Sequence, residues 1–252
     1  MSLERDEEGI PHRVEPIEIA GGVRLGDLSE ALPTIAGPCA VEGHDELLEA
    51  ARHVAEIARA LDTPFVLKAS FDKANRSSGT SFRTIGFEPA LAALAEAGRD
   101  TGLPTLTDVH EPGQCERVAA VVDVLQIPAF LCRQTDLIEA AARTGRAVNI
   151  KRGQFMAPDD MRRAVDKARA AADVPVFVTE RGTSFGYHDL VVDMRAFSIL
   201  RGDGIPVVYD VTHSLQKPGG GEETGGARRF AEPLARAAVA AGVDGVFVEI
   251  HP

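Results

Sequence analysis

The sequence predicts a (β/α)8 barrel preceded by a small β-hairpin. Three observations predict it. Eight short apolar runs alternate with amphipathic stretches from residue 34 onward. The 252 residues allow one large domain, and the eight runs fall within ~220 of them. Polar and ionisable residues stand at the C-terminal end of every run, where barrels of this kind gather their functional groups. A doubly wound open sheet is the competing arrangement, but no Gly-x-Gly-x-x-Gly follows a first strand.

Residues 1–12 read as an acidic tail. Val14 to Ile19 then alternates apolar and polar positions, Gly21-Gly22 supplies a tight turn, and Val23-Arg24-Leu25 returns. This reads as a small β-hairpin, in which Pro16 suits only an edge strand. Residues 1–33 are therefore tail and hairpin, and 34–252 the barrel.

The eight runs are Thr34–Pro38, Pro64–Ala69, Pro104–Val109, Val121–Ile127, Ala147–Lys151, Val174–Thr179, Ile205–Tyr209 and Val243–Ile250. Their β-branched content suits strands buried on both faces. Between them, Glu46–Leu61 carries Leu47, Leu48, Ala51, Val54, Ala55, Ala58 and Leu61 at helical spacing. Pro89–Arg99, Glu111–Ala120, Thr135–Arg143, Pro158–Ala171, Leu190–Leu200 and Gly226–Ala241 are the other expected helices. The eighth run ends at Glu249-Ile250-His251-Pro252 with no stretch for an eighth helix. The expectation is that a terminal segment is absent from this chain, or that a partner covers one flank.

Apolar residues make up 44% and charged residues 26%, as in an ordinary folded domain. Aromatics are only 5% and Trp is absent, so the core must be aliphatic. The net charge of −11 argues against a nucleic-acid partner and against an electrostatic membrane anchor. No apolar run reaches the ~20 residues of a membrane-spanning helix. Three cysteines, Cys39, Cys115 and Cys132, make no disulfide framework, which points to a reducing, cytoplasmic compartment. Cys115 falls on an expected helix, as core or surface.

The chemistry is read at the run ends. Lys68, Lys73, Arg76, Arg133, Lys151, Arg152 and Arg181 all fall there, in an otherwise acidic chain. Like charges sharing one mouth repel, so the pattern predicts an anionic ligand, with phosphates as the obvious candidates. The bland alternative pairs each cation with a neighbouring acid. Cys39, His110, His213, Glu249 and His251 also fall at run ends, and such donors suit a divalent transition metal. Taken singly, a Cys is more often a buried small hydrophobe and a His a satisfied core residue.

Several of these motifs carry a family likeness. Ala36-Gly37-Pro38-Cys39, Lys68 through Ser78 (KASFDKANRSS), Ile127 through Leu137, Lys151 through Phe155, Thr179 through Thr183 and Tyr209 through Ser214 together resemble the 3-deoxy-D-manno-octulosonate 8-phosphate synthases. The resemblance runs from about Ile35 to Pro252. It implies a (β/α)8 fold, typically tetrameric, that condenses phosphoenolpyruvate with arabinose 5-phosphate and water and releases phosphate, for lipopolysaccharide-type sugar biosynthesis. The related 3-deoxy-D-arabino-heptulosonate 7-phosphate synthases use erythrose 4-phosphate. They typically carry Pro where this chain has Asn75, whose amide can hydrogen-bond an acceptor hydroxyl.

The resemblance also implies roles. Lys68, Lys73, Gln126, Lys151 and Arg181 surround phosphoenolpyruvate. Asn75, Arg76 and Ser77 form the acceptor site, and Arg133 reaches a neighbouring subunit's acceptor phosphate. Lys73, Asp108 and His110 line the reaction centre. Metal-dependent members have Cys at the end of the first strand, so Cys39, with His213 and Glu249, is implied to hold a divalent transition metal such as Zn, Fe or Mn. The fourth ligand, an Asp, is expected beyond Pro252. Asp210 matches a different position of the family. The glycine-rich segment from Lys217 to Gly226 is expected to be a lid. Two other readings stay open: the seven-carbon synthase, and a non-catalytic barrel that binds sugar phosphates.

Overall fold

A computed structural model of the chain describes residues 14–27, 31–74, 82–217 and 226–251. The acidic tail, Asn75, Arg76, Ser77 and most of the expected lid lie outside the described residues.

Strands β1 (Ile17–Ala20) and β2 (Val23–Leu25) form the antiparallel hairpin. Its turn places Gly21 at φ +54° and Gly22 at φ +80°, a left-handed pair that side chains resist. Eight parallel strands then close on themselves: β3 (Thr34–Pro38), β4 (Phe65–Lys68), β5 (Thr105–Asp108), β6 (Val124–Ile127), β7 (Ala147–Lys151), β8 (Val176–Glu180), β11 (Val207–Asp210) and β12 (Gly245–Ile250). β12 pairs with β3, which closes the barrel. A short antiparallel pair, β9 (Thr183–Ser184) and β10 (Leu190–Val191), lies in the segment after β8.

Seven helices are present among the described residues: α1 (His44–Leu61), α2 (Phe87–Thr101), α3 (Cys115–Ala119), α4 (Thr135–Arg143), α5 (Met161–Ala171), α6 (Arg195–Gly202) and α7 (Ala231–Ala240). Each expected apolar run holds a strand and each expected helical stretch holds a helix, with ends shifted by up to five residues. Leu190–Leu200 and Gly226–Ala241 each lose five residues at the N-terminal end. Leu190 and Val191 are used by the β9–β10 pair, and α6 starts only where Asp193 Oδ1 accepts the Arg195 amide at 3.0 Å. At Glu111–Ala120 a 3-10 turn over Pro112–Gln114 comes first. There Glu111 and Gln114 cap each other reciprocally. Leu61, expected on the buried face of α1, is 66% exposed, because Asp62 at φ +48° ends the helix beside it. Cys115 is buried in the core.

The alternation of strand side chains sorts the barrel into an outside and an inside. Outward residues such as Leu67, Leu125, Ile150, Val178 and Tyr209 pack against helix residues such as Leu94, Ile138, Val165 and Phe197. Inside, each strand gives one apolar residue to a single cluster: Ile35, Val66, Leu106, Val124, Ala147, Phe177, Val208 and Phe247. Ile19, Val23 and Leu25 of the hairpin join that cluster and plug the N-terminal end. Two residues further along each strand, the inward positions are Gly37, Lys68, Asp108, Gln126, Asn149, Thr179, Asp210 and Glu249. An apolar plug thus gives way to a polar floor facing the C-terminal mouth. Gly37 is required there: a Cβ at that position would stand 2.0 Å from the Lys68 carbonyl oxygen.

Candidate active site

The polar floor and the loops above it bring most of the expected residues together. Lys68, 1% exposed, donates to Glu249 Oε1 and, at 3.1 Å, to the Cys39 carbonyl oxygen. Lys73 Nζ lies 3.6 Å from the same Glu249 oxygen and hydrogen-bonds the Cys39 side chain. The loop carrying Lys73 is held by the hydrogen bond its amide donates to the Arg83 carbonyl, 3.0 Å, and by the Asp72–Arg83 ion pair, 2.6 Å. Lys151 Nζ lies 2.5 Å from Asp210 Oδ2 and 3.7 Å from the centre of the Phe247 ring. His213 Nδ1 meets Asp210 Oδ2 at 2.8 Å, and its Nε2 lies 3.3 Å from Glu249 Oε2. His110 Nε2 meets Asp108 Oδ2 at 2.9 Å, while Gln114 Oε1 accepts the His110 amide at 2.8 Å.

Four expected cations, Lys68, Lys73, Lys151 and Arg181, therefore share the mouth with three carboxylates, Asp108, Asp210 and Glu249. The expectation of uncompensated positive charge is corrected: carboxylates offset much of it. Asp210, not counted among the expected site residues, is a hub of this network, held by Lys151 and by both the ring and the backbone amide of His213.

The ionisation states follow from this packing. Burial opposes charge on Lys73, yet Glu249, Asp108 and Cys39 outweigh it and raise its pKa. Burial opposes ionisation of Asp108, but the His110 hydrogen bond, Lys73 and Lys68 hold it well below the usual carboxylate range. Asp210 is depressed likewise by His213 and Lys151, and Glu249 by Lys68, His213 and Lys73, each against its own burial. For Lys151 burial wins over Asp210 and Glu249, and the pKa falls.

Several buried polar atoms at or near the mouth have no partner among the described residues: Arg181 Nη1, Gln126 Oε1, Asp108 Oδ1, His110 Nδ1, Ser70 Oγ, Asn149 Oδ1 and Gln154 Oε1. Arg181, 6% exposed, uses Nη2 on Gln216 Oε1 at 2.8 Å, so one face of its guanidinium remains for a ligand. Ser70, Asn149 and Gln154 were not singled out from the sequence. The strand period identifies the first two, since Ser70 follows Lys68 by two residues and Asn149 precedes Lys151 by two.

Two expected cations stand elsewhere. Arg152 is fully buried, but on the outer side of the barrel, in an ion pair with Glu180. It follows inward-facing Lys151 by one residue, so the alternation turns it away from the mouth. Arg133 is exposed on the rim beside Phe130, which is 57% exposed. Asn75, Arg76 and Ser77 lie outside the described residues. His251 is exposed.

Cys39 and Glu249 flank the Lys73 ammonium on one side of the mouth, and His213 lies against Glu249. Their chemistry fits a metal in one respect: His213 points Nε2 at Glu249 while a carboxylate holds Nδ1, the usual bracing of a ligating imidazole. Among the described residues, no three His, Cys, Asp or Glu side chains stand at metal-ligand spacing, and Glu249 is engaged by two lysines.

Residues 15–252 match the model of the DAHP synthetase I family. Curated relatives include the 2-dehydro-3-deoxyphosphooctonate aldolase of Rhodopseudomonas palustris, 56% identical over 239 residues, which span 94% of this chain and 83% of the relative. The protein of that name from Thiobacillus denitrificans is 55% identical over 226 residues, 89% of this chain and 81% of its own. That from Nitratidesulfovibrio vulgaris is 57% identical over 219 residues, 86% and 80%.

Proposed function

The chain belongs to the DAHP synthetase I family, and from that premise and its relatives we infer that it condenses phosphoenolpyruvate with arabinose 5-phosphate and water, giving 3-deoxy-D-manno-octulosonate 8-phosphate and phosphate. It is a carbon–carbon bond-forming synthase. The relatives' shared name favours this reaction over the seven-carbon synthase and over a non-catalytic barrel. The structural observation that supports it best is the buried mouth in which Lys68, Lys73, Lys151 and Arg181 face one space, with an Arg181 donor unpartnered.

The residue roles are proposals. Lys151 and Arg181 take the phosphate of phosphoenolpyruvate, and Lys68, Lys73 and Gln126 its remaining oxygens. Asn75, Arg76 and Ser77 hold the acceptor, whose phosphate also meets Arg133 of a second copy. An exposed Arg133 beside exposed Phe130 suits such a contact, and a homotetramer is the proposed assembly. The methylene carbon of phosphoenolpyruvate attacks the aldehyde carbon, water adds to the former enol carbon, and the resulting hemiketal phosphate expels phosphate. Fixed cations offset the repulsion between the two anionic substrates and position them. Lys73, kept protonated by its neighbours, is placed to give a proton to the developing alkoxide. The Asp108–His110 pair is placed to move the proton of the water. A divalent transition metal is proposed on Cys39, His213 and Glu249, where it would supply Lewis acidity.

Among the described residues, no helix is long and apolar enough to cross a membrane. The three free cysteines support a reducing, cytoplasmic setting for the reaction.

The test is phosphate release in parallel assays with arabinose 5-phosphate and erythrose 4-phosphate. Turnover with the five-carbon acceptor is expected, and a preference for the four-carbon one overturns the assignment. A Schiff base on a strand-end lysine is the competing barrel chemistry. Borohydride with phosphoenolpyruvate should leave no adduct.

A further inference from the structure

We propose that Arg152 and Glu180 are positioning residues, whose buried ion pair outside the barrel fixes the separation and aim of Lys151 and Arg181 inside it. The inference rests on the reading of Lys151 and Arg181 as the phosphate-binding cations. Each partner is one residue from one of them: Arg152 follows Lys151 at the end of β7, and Glu180 precedes Arg181 at the end of β8. Strand alternation sends the members of each dipeptide to opposite sides of the barrel wall.

The pair is a fork on a fork. Arg152 Nε donates to Glu180 Oε2 and Nη2 donates to Oε1 at 2.6 Å. The same guanidinium reaches the Thr183 hydroxyl at 2.8 Å, the Met156 carbonyl and, at 3.4 Å, the Gly153 carbonyl. Glu180 Oε1 also accepts the Gly182 amide at 2.6 Å, in the turn where Gly182 adopts φ +91°. Ser184 donates its amide to the Gln154 carbonyl at 3.0 Å, a further tie between the two loops. Neither charged side chain is exposed. Buried pairs of this kind are seldom more stable than apolar side chains of similar volume. What this one adds is direction: planar donors and acceptors hold both strand-end loops at a set spacing. The cations just across the wall inherit that spacing.

The double variant Arg152→Met/Glu180→Leu separates geometry from stability, because it removes both charges together. With Tm within a few degrees of the parent, the KM for phosphoenolpyruvate and the Kd for inorganic phosphate by calorimetry should each rise at least tenfold. The KM for arabinose 5-phosphate should change less than twofold. A folded double variant with phosphoenolpyruvate KM and phosphate Kd unchanged overturns the proposal. Should the double variant fail to fold, Arg152→Lys keeps the charge and loses the fork. The same tenfold changes are expected of it, and parental values again overturn the proposal. If the parent protein shows no turnover with phosphoenolpyruvate, the functional reading fails separately, and the phosphate Kd of the variants still decides the clamp.

Discussion

Lys151 Nζ lies 2.5 Å from Asp210 Oδ2, and that carboxylate is wholly buried. The ammonium sits above the Phe247 ring at the boundary between apolar plug and polar floor. A phosphate reaching Lys151 must therefore share it with Asp210, which also holds His213. The strand-end cations do not wait as free charges. Carboxylates hold Lys68, Lys73 and Lys151, and the Gln216 amide oxygen holds Arg181, before a ligand arrives, which is the preorganisation that electrostatic catalysis needs.

Lys151→Met should lower kcat/KM for phosphoenolpyruvate by about a hundredfold or more, the usual scale for losing a preorganised donor. It should also destabilise the fold by about 3 kcal/mol, because the buried Asp210 carboxylate loses its lysine partner. Steady-state kinetics and urea unfolding measure the two effects. Activity within threefold of the parent would remove Lys151 from the substrate site.

Gly37→Ala should be severely destabilising. The added carbon would meet the Lys68 carbonyl at 2.0 Å, and that oxygen belongs to a strand paired with β3 and cannot swing away as a side chain can. A loss of about 2 kcal/mol or more is expected from such overpacking. A urea midpoint equal to the parent's would show that the β3–β4 seam yields.

Asp108 predicts a pH dependence of stability. Its folded-state pKa lies below the ordinary 3.8, so as pH falls the unfolded chain takes up the proton first. Its contribution is complete above about pH 4 and is lost as the pH drops through the depressed folded value. Asp108→Asn should flatten this loss. Urea unfolding of parent and variant at neutral pH and at about pH 3 tests it, and equal acid losses in both would count against the prediction.

The proposed metal gives a fourth prediction. A chelator should abolish phosphate release, and a divalent transition ion should restore it. Cys39→Asn should lower the bound metal measured by elemental analysis, since a neutral amide is a poorer ligand than a thiolate. Metal content unchanged in that variant would exclude Cys39 as a ligand.

Much of the site was legible because strand ends in a barrel converge whatever their separation in sequence. Lys68, Lys73, Asp108, Gln126, Lys151, Arg181, His213 and Glu249 all meet at the mouth, as the reading of run ends predicts. Arg152 misled because adjacency to Lys151 was taken as sharing its side, although period two puts neighbours on opposite faces. Asn149 and Ser70 were missed because they look like ordinary strand polar residues until the inward parity is counted.

The sequence by itself determined the eight runs, the hairpin, the parity of each strand and hence which side chains could face the axis. Local patterning suffices for that, since the pleat of a strand turns successive side chains to opposite faces whatever their burial. Only the tertiary structure decided which opposite charges meet. Lys68 and Glu249 stand 181 residues apart, and Lys151 and Asp210 stand 59 apart. Pairings of that range are set by barrel closure and strand stagger, neither of which any short stretch of the chain encodes.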